Sequence, residues 1–291
     1  MTTLAPTAPT SLAPVARPAA RTSPARPITF PRIVAAEWIK FRTVRSTVWT
    51  LVATVVLMVG FSVLAAWGSV MMLEDQPPAV GMNTAQLLSA GYQLGQLAVA
   101  VLGVLSIAGE YSTGMVRSSF AAVPRRLPIL GAKALVLSLV VATVTLISMA
   151  LSYVATMPFH DELEAHFDLS TAETFRMTVG LPMYLVAVGL LAFGAGALLR
   201  HTAGALTAVL ATLLVIDNVI MLVPLRAFEL ISPFLPSAAG RRILFENEML
   251  ASLDAVADGV ILTPWQGYGV LLAWVAVLLT VAALLMRRRD A

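Results

Sequence analysis

Asp217 is the one carboxylate set well inside an apolar run, Val215-Ile216-Asp217-Asn218-Val219. A charge at that depth costs roughly 2.5–3.5 kcal/mol on insertion scales, so the residue should face a protein interior or a wet cavity. There it could contact a cationic or polar substrate, relay a proton, or hydrogen-bond a neighbouring helix. His160, Asp161, Glu164 and His166 have the side chains of a metal site and equally the composition of a solvated acidic loop. Cysteine is absent, which removes disulfides and thiolate ligands.

The remaining inventory excludes several chemistries. A nucleotide-hydrolysing loop ends in Gly-Lys, which sets an ammonium against the phosphates. The two lysines here follow Ile39 and Ala132, so Lys40 and Lys133 cannot serve. The three histidines are followed by Asp161, Phe167 and Thr202, so His-Glu-x-x-His cannot be built. A serine protease dyad within a bilayer would need His201, which stands beside Arg200 in a tight turn and reads as a surface residue. The expectation is a chain that performs no chemistry and carries no cofactor.

The elements that must position these residues are apolar. Six stretches approach or exceed the ~20 residues a helix needs to cross a bilayer: 48–70, 86–108, 129–157, 181–199, 202–224 and 264–286. The third is overlong and should tilt or protrude. With 58% hydrophobic residues, 12% charged and a mean hydropathy of +0.85, the chain is too apolar for a soluble surface. The expected fold is an all-α membrane protein, with one six-span domain over residues 30–291. Residues 1–29, rich in Pro, Ala and Thr, read as a disordered cytoplasmic tail without the apolar core of a signal peptide.

Loop charge orients the spans, because Lys and Arg accumulate on the cytoplasmic side. Placing both termini inside gathers Lys40, Arg42, Arg45, Arg117, Arg125, Arg126, Lys133, Arg200 and Arg287 to Arg289 there. Only Arg176, Arg226, Arg241 and Arg242 fall outside, together with most of the acids. The expected location is a bacterial plasma membrane, multi-pass, both termini cytoplasmic. The sequence pI near 9.6 is the inner half of this asymmetry and does not argue for nucleic acid.

Three segments between and before the spans carry shape. Ile33 to Arg45 reads as an amphipathic helix along the membrane surface, with Ile33, Val34, Trp38 and Phe41 on one arc and Arg42 pointing away. Glu37 breaks that arc, Lys40 could compensate it at i+3, and Arg45 could snorkel toward lipid phosphates. After the second span, Gly109 to Arg126 has room for one short helix. Ser112 or Thr113 would cap it, Met115, Val116 and Phe120 give its apolar face, and Pro124 disfavours helix at Val123. Beyond Pro224, Leu225 to Leu235 and Arg241 to Leu253 are too short and interrupted to span, and should form outer half-helices, as a gate or as a packed cap. The last span restarts at Thr263-Pro264-Trp265-Gln266, a capping box with Pro at N1.

The phrase Glu37-Trp38-Ile39-Lys40-Phe41-Arg42-Thr43-Val44-Arg45-Ser46-Thr47 ahead of a span resembles the opening of type-2 ATP-binding-cassette permeases. Glu110-Tyr111-Ser112-Thr113-Gly114 before Pro124-Arg125-Arg126 and Lys133 is similar to the same family, as is the closing Arg288-Arg289-Asp290-Ala291. Order and spacing carry the likeness, over residues ~31 to 291. It implies that the first helix is an elbow, with Trp38, Lys40, Phe41, Arg42 and Arg45 at the membrane surface. It implies that the loop after the second span is a coupling helix resting on a cassette ATPase subunit through Glu110, Tyr111, Thr113, Gly114 and Arg117, and that re-entrant helices precede the last span. ATP and Mg would be bound by that partner. A second permease copy, identical or a close paralogue, would complete the pore, and Gly91-x-x-x-Gly95 offers a small-residue face for that seam.

The reading is therefore a permease subunit of an ATP-driven exporter, with a hydrophobic small molecule, drug or peptide as substrate, since no rows of charge suit a polysaccharide. A proton-coupled secondary transporter using Asp217 is the first rival, and it would normally need several interacting acids or bases. An intramembrane enzyme is the second.

Overall fold

The computed structural model describes residues 29–73, 82–113, 126–216, 219, 230–255, 257 and 259–288. Within them the chain is helical, and the only β feature is an isolated bridge between Asn83 and His166. The helices are α1 (Phe30–Thr43), α2 (Arg45–Leu73), α3 (Thr84–Ser89), α4 (Tyr92–Thr113), α5 (Arg126–Thr156) and α6 (Ala172–Leu199). After these come α7 (Thr202–Leu210), a π-helical stretch (Ala211–Ile216), α8 (Pro236–Arg241), α9 (Asn247–Ala255) and α10 (Pro264–Arg288). Among the described residues, five helical segments are long and apolar enough to cross a membrane: α2, α3 with α4, α5, α6 and α10. The sixth expected span is described only to Ile216, as a shorter apolar helix of 202–216. The tail expected over residues 1–29 lies, but for Thr29, outside the described residues.

Periodicity explains which faces meet. On α2 the buried residues Thr54, Met58, Ser62 and Ala66 recur every four positions. Helix α5 buries Thr145, Ser148, Ser152 and Thr156. Small residues let helices approach where no water drives them together. Thr54, Thr145, Ser148 and Thr156 return their hydroxyls to carbonyls four residues back, at 2.8–2.9 Å, so these polar groups are satisfied within their own helices.

Helices α4 and α6 form the centre. A Cβ on Gly103 would strike the Gly189 carbonyl and come within 2.9 Å of the Ala192 Cβ, so only glycine permits that crossing. The pairings Gly189 with Val99 and Gly196 with Ile107 advance in the same sense along both helices, so α4 and α6 run parallel. The Tyr268 hydroxyl donates to the Met183 carbonyl at 3.3 Å and Gly194 abuts Leu278, so α10 also runs parallel to α6. The chain between Arg200 and Pro264 must therefore return from one end of the bundle to the other. Helix α2 is antiparallel to α4, with Met58 against Gly91 and Gly95 and Ala66 beside Leu87.

Helix α6 begins nine residues before the expected 181. Thr171 caps it, accepting the Thr174 N–H, and its first turns carry Glu173 and Arg176. Both charges are used inside the molecule. The Arg176 guanidinium, 6% exposed, donates to the carbonyls of Arg242, Ile243 and Phe245 and to Asn247 Oδ1 at 2.8–3.2 Å. Glu173 accepts the Asn247 N–H, where α9 starts and a carboxylate suits the helix dipole. Together they clamp the turn into α9, and Arg242 reaches both oxygens of Asp254 at 2.8 and 2.9 Å within the same segment.

The 230–255 segment packs back along α10. The Trp274 indole N–H donates to the Phe234 carbonyl at 2.9 Å, ten residues into α10. A Cβ on Gly267 would strike the Ala239 carbonyl. The capping box at the start of α10 forms as its residues require: Thr263 N–H to Gln266 Oε1 at 2.9 Å, Gln266 N–H to Thr263 Oγ1 at 3.3 Å.

Candidate functional site

Helix α1 buries Ile33, Glu37 and Phe41, spaced by four, so the acid lies on the inward stripe. Opposite stands Lys133, 4% exposed, in the second turn of α5. Its Nζ lies 2.7 Å from Glu37 Oε2 and 2.7 Å from Glu110 Oε1, and donates further to the Ser106 carbonyl at 3.4 Å. Three donors of one ammonium thus meet three acceptors. Lys40 closes the ring, 2.9 Å from Glu37 Oε1 and 3.0 Å from Glu110 Oε1. Burial pulls the Lys40 ammonium toward neutrality, but its hydrogen bonds to Glu37 and Glu110 outweigh that and hold its pKa above the usual lysine value.

Both lysines of the chain pair with two acids, Glu37 and Glu110, in one knot that joins α1, the end of α4 and the start of α5. Such a knot is geometrically demanding: each buried charge needs its partners, and loss of one strands the others. One residue further on, Tyr111 lies under the Arg200 guanidinium, 5.1 Å from ring centre to Cζ. Arg200 ends α6 in the left-handed region at φ 52°. Residues near the end of α4 and the start of α5 thus tie α1, α4, α5 and α6 together.

Of the residues expected at a partner surface, Glu110 and Tyr111 face inward, held by Lys133, Lys40 and Arg200. Thr113 ends α4, while Gly114 and Arg117 lie outside the described residues, as does Asp217. On α1, Trp38 and Arg42 are exposed, as is Arg45 at the start of α2, whereas Phe41 is buried and Lys40 belongs to the knot. The apolar arc expected on this helix is split: Ile33 and Phe41 pack inward, Val34 is half-buried and Trp38 faces out.

Gly91 and Gly95, expected at a seam between copies, pack against α2. A Cβ on Gly91 would strike the Met58 carbonyl and lie 2.6 Å from its Cα, and one on Gly95 would lie 2.8 Å from Met58 Cγ. The close approach they permit here is made within the chain, to α2. Contact between helices of one domain uses the same small-residue chemistry as contact between domains, and spacing alone does not separate them.

His201 is also accounted for. Its Nδ1 accepts the Gly204 N–H at 3.0 Å and caps α7. In the 157–171 loop, His160 Nε2 lies 3.1 Å from Thr156 Oγ1 and its ring meets Tyr153 edge-on at 5.4 Å. His166 pairs through its backbone with Met82 and Thr84. Asp168 accepts both the N–H and the hydroxyl of Ser170, which hold its carboxyl below the usual range. Among the described residues, no group of three or more His, Cys, Asp or Glu side chains is placed to hold a metal ion.

Sequence reasoning missed the Glu37–Lys133 pair, the Arg176–Glu173 clamp and the buried hydrogen bond from Tyr184 to Gln96 Oε1 at 2.6 Å. Two signals pointed to the first: an acid inside an apolar arc, and a lone lysine in an apolar helix. No protein-family model and no curated protein sequence matches this chain.

Proposed function

We propose that this chain is the membrane-spanning permease subunit of an ATP-driven exporter. Two copies, or one copy and a close paralogue, form the pathway, and separate cassette ATPase subunits bind ATP and Mg. The observation that carries the reading is the four-residue knot. The two phrases on which the family resemblance rests are seventy residues apart, and Glu37 and Lys40 of the first share one ion-pair cluster with Glu110 of the second and with Lys133.

That arrangement gives a route for force. Lys133, near the start of α5, is paired with Glu110, near the end of α4, and Glu37 ties α1 to the same pair. An ATPase pressing on the 114–125 loop would move α1, α4 and α5 together, because breaking the knot exposes unpaired charge. Glu110 and Tyr111 then act behind the docking surface and hold the loop in place, and Gly114 and Arg117 are left to meet the partner. Residues 202–224 form the fifth of six crossings, the return that parallel α6 and α10 require. The elbow is α1, and the 230–255 segment is the re-entrant pair. The substrate is a hydrophobic small molecule, drug or peptide.

The test is purification of the tagged full chain from native membranes in mild detergent, with mass spectrometry of whatever remains at near-equal stoichiometry. A cassette ATPase is the expected companion, and Arg117→Ala should lower substrate-stimulated ATP hydrolysis of the complex with the permease still inserted. Reproducible recovery of the chain alone would overturn the reading and favour a proton-coupled transporter, for which Asp217→Asn is the next variant.

A further inference from the structure

A cavity of about 350 Å³ lies between α6, α7 with its π-helical extension, and α10, beneath the tip of the 230–255 segment. Leu191, Leu198, Val209, Thr212, Trp274 and Leu278 form much of its wall. The wall has two polar side chains, and both are engaged. Thr212 Oγ1 donates to the Ala208 carbonyl at 2.9 Å, and the Trp274 indole N–H to the Phe234 carbonyl at 2.9 Å. Water in a protein cavity needs about three hydrogen bonds, and these walls do not supply them.

Depth identifies the filling. Trp274 lies ten residues into α10, roughly 15 Å from its start at 1.5 Å per residue. That is halfway across a hydrocarbon core of about 30 Å. Trp274 is 42% exposed, so the cleft opens outward at that depth. A π-helical stretch is rare and is enriched at functional positions; here Ala211–Ile216 supplies Thr212 and Ile216 to the wall. At about 30 Å³ per water-sized group, the volume takes roughly ten methylenes.

We propose that this cleft is an acyl-chain site, occupied by one tail of a bilayer lipid that enters sideways between α7 and α10, since α6 and α10 are closed on each other at Gly194 and Leu278. The tail packs under the Phe234–Pro236 turn and supports the tip of the 230–255 segment from below. The site is independent of the exporter reading, since it needs only a bilayer at the depth of Trp274.

Fluorescence quenching tests it. Replacing Trp38, Trp49, Trp67 and Trp265 by Phe leaves Trp274 as the sole indole of the five. In phosphatidylcholine vesicles containing lipid brominated at mid-chain, Trp274 emission should be quenched. Ala195→Phe or Ala208→Phe, which fill the cleft, should weaken that quenching at least twofold. Equal quenching in the filled variants would mean bulk lipid only. No quenching in the parent would mean that another part of the chain or a second copy covers the cleft. Either result overturns the proposal. Because four indole replacements burden folding, native mass spectrometry of the full chain with its natural tryptophans provides a second readout. One phosphatidylcholine should survive delipidation on the parent and be lost from Ala195→Phe; retention by both, or by neither, overturns the site.

Discussion

Lys133 shows how much one side chain can hold. It is nearly inaccessible, and its three acceptors come from α1 and α4. Lys133→Met should cost about 3–5 kcal/mol, the scale for leaving buried charge uncompensated, read as the shift of the unfolding midpoint in mixed micelles. Adding Glu37→Met removes one stranded carboxylate and leaves Lys40 paired with Glu110, so the double variant should recover at least half of the loss. Strict additivity of the two changes would mean that the knot carries no coupling. The sequence made Glu37 visible as a polar break in an apolar arc, and it made the Lys40 partner visible because i+3 spacing is local. Lys133 was not legible as a partner, since it is separated from Glu37 by 96 residues and no local rule reaches so far.

At the scale of elements, the α2–α4 crossing gives the sharpest contrast between readings. A methyl on Gly91 meets the backbone of Met58, whereas one on Gly95 meets only its flexible side chain. Gly91→Ala should therefore destabilise by about 1–3 kcal/mol, the usual cost of overpacking, and Met58→Ala should not rescue it. Gly95→Ala should be milder and should be rescued by Met58→Ala. Thermal unfolding of the four single and double variants decides the matter. Reduced oligomerisation with unchanged monomer stability would instead restore these glycines to a seam between copies. Helix α6 teaches a related lesson about boundaries. Apolar counting started it at 181 because Glu173 and Arg176 look like loop residues. The helix runs from Ala172 because those charged groups are hydrogen-bonded by the 242–247 turn. By contrast, the capping box at Thr263–Gln266 was fully legible, since all its partners lie within one turn.

For the whole molecule, burial grades from the centre outward: α6 and α4 are the most enclosed of the spanning candidates, and α2 and α10 the most open. Trp49 and Trp67, 72% and 50% exposed, mark the two ends of α2. Eighteen residues apart, they stand roughly 27 Å from one another at the helical rise, a spacing that suits indoles at two bilayer interfaces. Because the chain has no cysteine, single cysteines report sidedness cleanly. Cysteines at Arg42 and Ser170 should react with an impermeant maleimide from opposite sides of sealed vesicles, and one at His201 should follow Arg42. Labelling of positions 42 and 170 from the same side would break the assignment of ends. What the sequence determined by itself was the solvent and the class of fold. Long apolar runs cannot dissolve in water, and in lipid their backbone must close its own hydrogen bonds as helix. Capping boxes and i,i+3 pairs were equally fixed, because they act within a few residues. Only the tertiary structure decided which polar groups meet: that Lys133 closes a knot with Glu37 and Glu110, that Arg176 holds a turn nearly seventy residues away, and that Met58 takes the face of Gly91 and Gly95. Those partners are set by how helices cross. Crossing depends on the shape of whole buried surfaces, which is a property of the packed bundle and is not written at any one position.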